Sequence, residues 1–269
     1  MALLQVDFFS EVLGMCTQMS VILPQRTRRQ IGMTGAVREG KYPAVFLLHG
    51  MTDDHTTWCR RTSIERYVSE LGIAVVMPEV HLGWYTDTKY GMRYQTYISR
   101  ELPGICREFF PNISERKEDI LAAGVSMGGY GAWKAALDGS ENFGAAAALS
   151  GALDIAAARQ RHREEEPDSQ MLWDGIFGSG APVRGSDNDL WELARRRKVS
   201  KKDMPRLYAW CGRQDFLYED NIRTWEYMKR LGIEVTAKES EGNHSWDCWD
   251  VQIRDVLRWW LTDRRKNGT

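Results

Sequence analysis

The sequence predicts an α/β fold with a mostly parallel central sheet and helices on both of its faces. Three observations carry that expectation. Short apolar runs alternate with longer stretches of helical period, the pattern of repeated strand–helix units. Several of the runs are apolar without alternation, as strands covered on both faces must be. One of them, at 120–125, leads into Gly124-Val125-Ser126-Met127-Gly128, followed by a helix start crowded with glycine and alanine.

Residues 2–13 and 15–23 read as two strands joined near Gly14, an antiparallel hairpin at the sheet edge. Continuous apolar strands follow at 42–48, at 73–77 (ended by Pro78), at 120–125, at 145–149 and at 206–211. A more polar stretch at 234–238 reads as the last, edge strand. Helices are expected over about 62–71, 93–109, 129–138, 219–231 and 246–261. The last places Trp246, Trp249, Ile253, Val256, Leu257 and Trp260 near a helical period, a stripe that faces a core. Those positions take several of the 11 tryptophans away from any sugar-stacking surface. Residues 154–203 break the rhythm and read as a helical insertion that partly covers the site, with its charge runs as solvated helix faces.

Composition narrows the function. A chain of 269 residues is expected to form one domain, 1–269. A net charge of −1 gives no reason to expect nucleic acid or an anionic membrane as a partner. Mean hydropathy is −0.47, and no apolar run is long enough to span a bilayer. The start, Met1-Ala2-Leu3-Leu4-Gln5-Val6-Asp7, lacks the pattern of a secretory leader. Five widely scattered cysteines suit neither a disulfide framework nor a zinc site, so a reduced, cytoplasmic setting is expected.

The chemistry centres on Ser126. A strand, a Gly-x-Ser-x-Gly turn and a helix together form a nucleophile elbow, which pushes the serine hydroxyl into the open at a sharp corner. A side chain at Gly124 or Gly128 would crowd the neighbouring strand and helix. A serine hydroxyl needs a base, and the base needs an orienting acid. Only His162 and His244 follow Ser126. His244 lies in a turn after the last strand, where a base must be to meet the elbow. His162 lies in a charged run and is the weaker choice. Asp215, after the strand at 206–211, is the preferred acid, with Asp220 as the alternative; Asp154 and Asp174 read as structural. The oxyanion needs two amides. Met127, next to the nucleophile, supplies one. Gly50 lets the turn present Met51 as the other, with Thr52 as the alternative, while His49 holds that turn. Asp53, Asp54 and His55 are consecutive and lack distant partners, so no metal site is expected. Trp84 and Tyr85 either line the substrate pocket or pin their loop by packing. Trp173 and Phe177 either close the pocket or join the core.

These motifs together resemble the tributyrin esterase branch of the esterase D-like (Putative esterase) family of α/β-hydrolases. The resemblance runs from Gln5-Val6-Asp7-Phe8-Phe9-Ser10 and Leu13-Gly14-Met15 through Leu47-Leu48-His49-Gly50-Met51 and Trp84-Tyr85-Thr86-Asp87. It continues over the Ser126 elbow to Cys211-Gly212-Arg213-Gln214-Asp215 and Gly242-Asn243-His244. It implies an α/β-hydrolase fold and hydrolysis of short acyl esters, acetyl or butyryl, including acetylated sugars. No cofactor is implied. The partner would be a small-molecule ester, and homo-oligomers occur. The insertion at 154–203 matches least and is where specificity is expected.

Overall fold

The computed structural model describes residues 1–165, 167–180 and 182–264, the side chains of 162–165, 167, 263 and 264 excepted. Its strands are β1 (Ala2–Ser10), β2 (Met15–Leu23), β3 (Ala44–Leu48), β4 (Ala74–Pro78), β5 (Ile120–Val125), β6 (Ala145–Leu149), β7 (Arg206–Gly212) and β8 (Val235–Ser240). They form one eight-stranded sheet in the order β1-β2-β4-β3-β5-β6-β7-β8. From β4 to β8 the neighbours are parallel, whereas β1 and β2 form an antiparallel hairpin and β2 runs antiparallel to β4. β3 to β6 are buried throughout, which is why they read as unbroken apolar runs. The fold is that of the α/β-hydrolases.

Helices cover both faces. On one lie α1 (Thr57–Arg61), α2 (Ile64–Val68) and the long C-terminal helix described below; they pack Trp58, Ile64, Val68, Ile253 and Trp260 against Val45, Leu47, Leu121 and Val125. On the other lie α3 (Tyr94–Thr96), α4 (Leu102–Phe109), α5 (Met127–Leu137), α6 (Ile155–Glu165), α7 (Gln170–Phe177), α8 (Leu190–Val199) and α9 (Tyr218–Arg230). The C-terminal helix is α10 (Trp246–Arg264). Successive residues of β3 alternate between the two cores, as the pleat requires. Among the described residues no helix is long and apolar enough to cross a membrane.

Two elements depart from the sequence reading. The first strand stops at Ser10 rather than running to residue 13, because Glu101 accepts the amide of Val12 at 3.1 Å and Ser10 Oγ accepts that of Leu13 at 3.0 Å. The helix expected at 62–71 is the shorter α2, and the short helix α1 that precedes it was not expected. Thr62 is extended at their junction (φ −132°), and its hydroxyl takes the Trp58 carbonyl at 2.6 Å, so the helix cannot pass through it. The 93–109 helix runs as expected, with a π-type turn at Tyr97–Glu101 whose Ser99 carbonyl accepts from Asn142 Nδ2 at 2.9 Å. The described part of 154–203 is helical and holds no strand.

Ile253 is fully buried against the sheet. Ile253→Ala is expected to lower the unfolding free energy by about 2–4 kcal/mol, measured by urea denaturation. A loss under about 1 kcal/mol would show that α10 does not form the core of this face.

Candidate active site

Ser126 sits between the last residue of β5 and the first of α5, with φ 54° and ψ −117°. Non-glycine residues rarely adopt such angles, and they persist only where surrounding structure enforces them. The enforcement is backbone packing. A Cβ on Gly124 would lie 2.4 Å from the Gly128 carbonyl, and one on Gly128 would lie 2.3 Å from the Leu48 carbonyl oxygen. β5, α5 and β3 therefore touch through bare backbone. The Ser126 amide donates to Leu149 O at 3.1 Å, and its carbonyl accepts the amides of Tyr130 and Ala152 at 3.2 Å. The backbone is tied on both sides, and the side chain stays partly exposed.

Asp215 and His244 come from the loops after β7 and β8. The Asp215 carboxylate is buried and lies 2.9 Å (Oδ2) and 3.1 Å (Oδ1) from His244 Nδ1, with Oδ1 also accepting the Leu217 amide at 2.8 Å. The two loops interlock. Gln214 N donates to Gly242 O at 3.0 Å, and Gly242 N returns a bond to Gln214 Oε1 at 2.7 Å. The His244 ring is held edge-on by Trp249 at 4.8 Å and covered by Phe216 at 4.4 Å. Trp249 donates its indole N–H to Ser150 Oγ at 3.0 Å, next to the Leu149 carbonyl that fixes Ser126. One chain of contacts thus joins the His244 ring to the Ser126 backbone at the carboxyl end of the sheet. Asp220, the alternative acid, is committed to Arg161 and Arg223. Asp154 pairs with Arg184 and Asp174 with Arg159. The side chain of His162, the alternative base, lies outside what the structure describes. The sequence reading missed Phe216. It is 73% exposed, and a bulky aromatic directly after the acid was its only signal.

Met127 opens α5, so its amide has no partner within the helix. The turn bearing Met51 lies against the elbow. A Cβ on Gly50 would sit 3.7 Å from Ser126 Cβ and 3.1 Å from Asp53 Oδ2. Asp53 N closes the turn onto Gly50 O at 3.3 Å, and Thr52 takes φ 71° within it. Burial raises the Asp53 carboxyl above its ordinary value, against the pull of His49 and the Gly50 amide. His49 is buried, with Nδ1 2.8 Å from Gly50 O and Nε2 3.3 Å from Glu79 Oε1. Glu79 also accepts the amides of His81 at 2.7 Å and His55 at 3.1 Å. Burial alone would raise the Glu79 carboxyl; the His49 ring and those two amides outweigh it and hold it down at about 2. His55 turns away to Ser20 Oγ and Gln18 Oε1, both at 2.9 Å.

Trp84, Tyr85 and Trp173 are 5%, 1% and 2% exposed, so they stand behind the site as packing and do not form an open lining. Trp84 packs on Trp173 at 4.9 Å, and Trp173 stacks on Phe177 at 5.7 Å. The Tyr85 hydroxyl donates to His49 O at 3.0 Å and so braces the Met51 turn. Its ring fills the space a Gly131 side chain would take, with the Cβ position 2.3 Å from the ring. Trp84 and Tyr85 both adopt positive φ, 51° and 49°, to reach these places. Beneath them Lys134 is fully buried and donates to Thr86 Oγ1 at 2.9 Å and Asn188 Oδ1 at 2.6 Å, tying α5 to this loop and to the insertion. Burial pushes its ammonium down to about 7.

Residues 10–260 match the profile of the Putative esterase family. The chain belongs to this family. It is a carboxylic ester hydrolase. Among similar proteins, an acetyl esterase of Caldicellulosiruptor saccharolyticus is 30% identical over 263 residues, covering 96% of this chain and 98% of that protein. A substrate-bound structure of the fluorophosphonate-binding serine hydrolase F of Staphylococcus aureus superposes with a TM-score of 0.85 at 31% identity, covering 97% of this chain and 98% of the other. An S-formylglutathione hydrolase of the same organism, without ligand, gives a TM-score of 0.82 at 32% identity over the same shares.

The Glu79 network of this esterase has a pH signature. Its carboxyl titrates near 4.5 when unfolded and near 2 when folded, so its stabilisation is complete above pH 4.5 and is lost as pH falls toward 2. Glu79→Gln is expected to remove at most about 3 kcal/mol at pH 7 and to flatten the stability decline between those pH values, followed by urea denaturation across pH. An unchanged decline would dissociate Glu79 from the network.

Proposed function

We propose that the protein is a serine carboxylesterase of short acyl esters, acetyl or butyryl, working through Ser126, His244 and Asp215. The observation that carries this reading is the pairing of a buried Asp215 carboxylate with the His244 ring, at the sheet end where Ser126 is held in a strained, projecting conformation. In this scheme His244 Nε2 takes the Ser126 proton as Oγ attacks the ester carbonyl. Asp215 fixes the proton-bearing Nδ1 and stabilises the imidazolium. The amides of Met127 and Met51 receive the oxyanion. His244 then passes the proton to the departing alkoxide, leaving an acyl-Ser126. Water, activated by the same ring, releases the acid and regenerates the serine.

The similarity to an acetyl esterase over nearly the whole of both chains supports the acyl-chain assignment, and the motifs support the tributyrin esterase branch. Five free thiols suit a cytoplasmic setting. A second reading, hydrolysis of a thioester with a thiolate as leaving group, is supported by the S-formylglutathione hydrolase of comparable similarity. The same residues serve both, because only the leaving atom changes.

Ser126→Ala is expected to lower kcat on p-nitrophenyl acetate by about 10⁴-fold or more with an unchanged thermal midpoint. It is also expected to abolish labelling by a fluorophosphonate probe. Near wild-type turnover in that variant would exclude Ser126 as nucleophile. Asp215→Asn is expected to cost about 10³–10⁴ in kcat, the loss following from the wrong imidazole tautomer. Loss confined to KM would assign Asp215 to binding instead.

A further inference from the structure

Phe216 is open to solvent, and its one ring contact among the described residues is the His244 imidazole, 4.4 Å away between centroids. A lone exposed aromatic is ordinary on a protein surface. This one stands beside the proposed base, and a fixed turn holds it there. Asp215 N donates to Gly212 O at 3.1 Å, Tyr218 N to Asp215 O at 2.9 Å and Leu217 N to Asp215 Oδ1 at 2.8 Å. Asp215 and Leu217, its chain neighbours, are both buried, so the turn is anchored on either side of Phe216 and leaves that residue outside.

The imidazole is already oriented from two other directions. Asp215 takes Nδ1, and Trp249 stands against the ring at 4.8 Å, itself tied to Ser150 Oγ at 3.0 Å. With Nδ1 engaged, Nε2 is the end left to work, and in a triad it delivers its proton to the departing alkoxide. At its short separation from the imidazole, Phe216 lies within reach of the first few atoms of an alcohol leaving at Nε2. We infer that Phe216 contacts the alcohol half of the ester and selects alcohols that carry flat apolar surface, such as an aryl ring, next to their oxygen. The inference rests on the triad reading above and names which half of the ester this ring recognises. A phenyl ring lacks hydroxyl, amide and charged groups, so it rewards apolar surface rather than hydroxyls. It gains further from an aromatic partner laid offset or edge-on against it.

The test compares benzyl acetate, ethyl acetate and ethyl butyrate. Benzyl alcohol and ethanol are leaving groups of similar basicity, so the ratio of kcat/KM for benzyl over ethyl acetate reads contact with the alcohol. A general loss of catalytic power through His244 cancels in that ratio. Phe216→Ala is expected to lower it about tenfold, and to leave the ratio for ethyl butyrate over ethyl acetate within twofold of wild type. Phe216→Trp, which keeps an aromatic face, is expected to retain most of the benzyl preference. Circular dichroism checks that both variants are folded. A benzyl-to-ethyl ratio within twofold of wild type in Phe216→Ala overturns the inference, even if kcat falls, because the ring then only positions the imidazole. A butyrate-to-acetate ratio that falls as far as the benzyl ratio places the ring on the acyl half and overturns it too. If Ser126→Ala still hydrolyses ethyl acetate, the triad reading itself fails, and the two failures are thereby distinguished.

Discussion

The contact on which the site depends is a bare-backbone junction between two strands and a helix. Gly124, Gly128 and the Leu48–His49 carbonyls approach so closely that no methyl group fits between them. This one contact sets two positions at once. It forces Ser126 into its strained corner, and it fixes the place where β3 gives way to the Met51 turn. Ser126 and the Met51 turn are therefore positioned by the same packing rather than by separate loops. Backbone strain of about 1–3 kcal/mol at such a corner is small beside the burial of β3, β5 and β6 around it.

Around that junction the polar groups are arranged to stiffen turns. His49 links the Gly50 carbonyl to Glu79, and Tyr85 holds the His49 carbonyl from below. Lys134 joins α5 to the loop that carries Tyr85. Buried polar atoms are costly unless bonded, so each of these side chains keeps its turn in one conformation.

Much of this was legible in the sequence, for identifiable reasons. The strands at 120–125 and 145–149 were placed to the residue, because strands buried on both faces leave an uninterrupted apolar record. The elbow and the loops of Asp215 and His244 were legible because glycines and strand ends fix where such side chains stand. The short helix α1 that ends at Thr62 was not, since its end depends on a hydroxyl bonding one carbonyl. Trp84 and Tyr85 were equally ambiguous. Their inward course needs positive φ and the space left by Gly131, neither of which a linear pattern records. Glu79 was missed because its value lies in three partners brought together only by the fold.

Asp215 and His244 hang from β7 and β8, at the margin of the sheet, whereas Ser126 stands in its interior. β8 has a neighbour on one side only, and its residues are largely uncovered. The interlocked Gln214 and Gly242 make the two loops move as one piece. If the proposed triad holds, fraying of that margin on warming would draw the His244 imidazole away from Ser126 with the Asp215 carboxylate still attached. The proton relay would then be lost while the interior remained closed, so heat inactivation would begin at the rim, ahead of global melting.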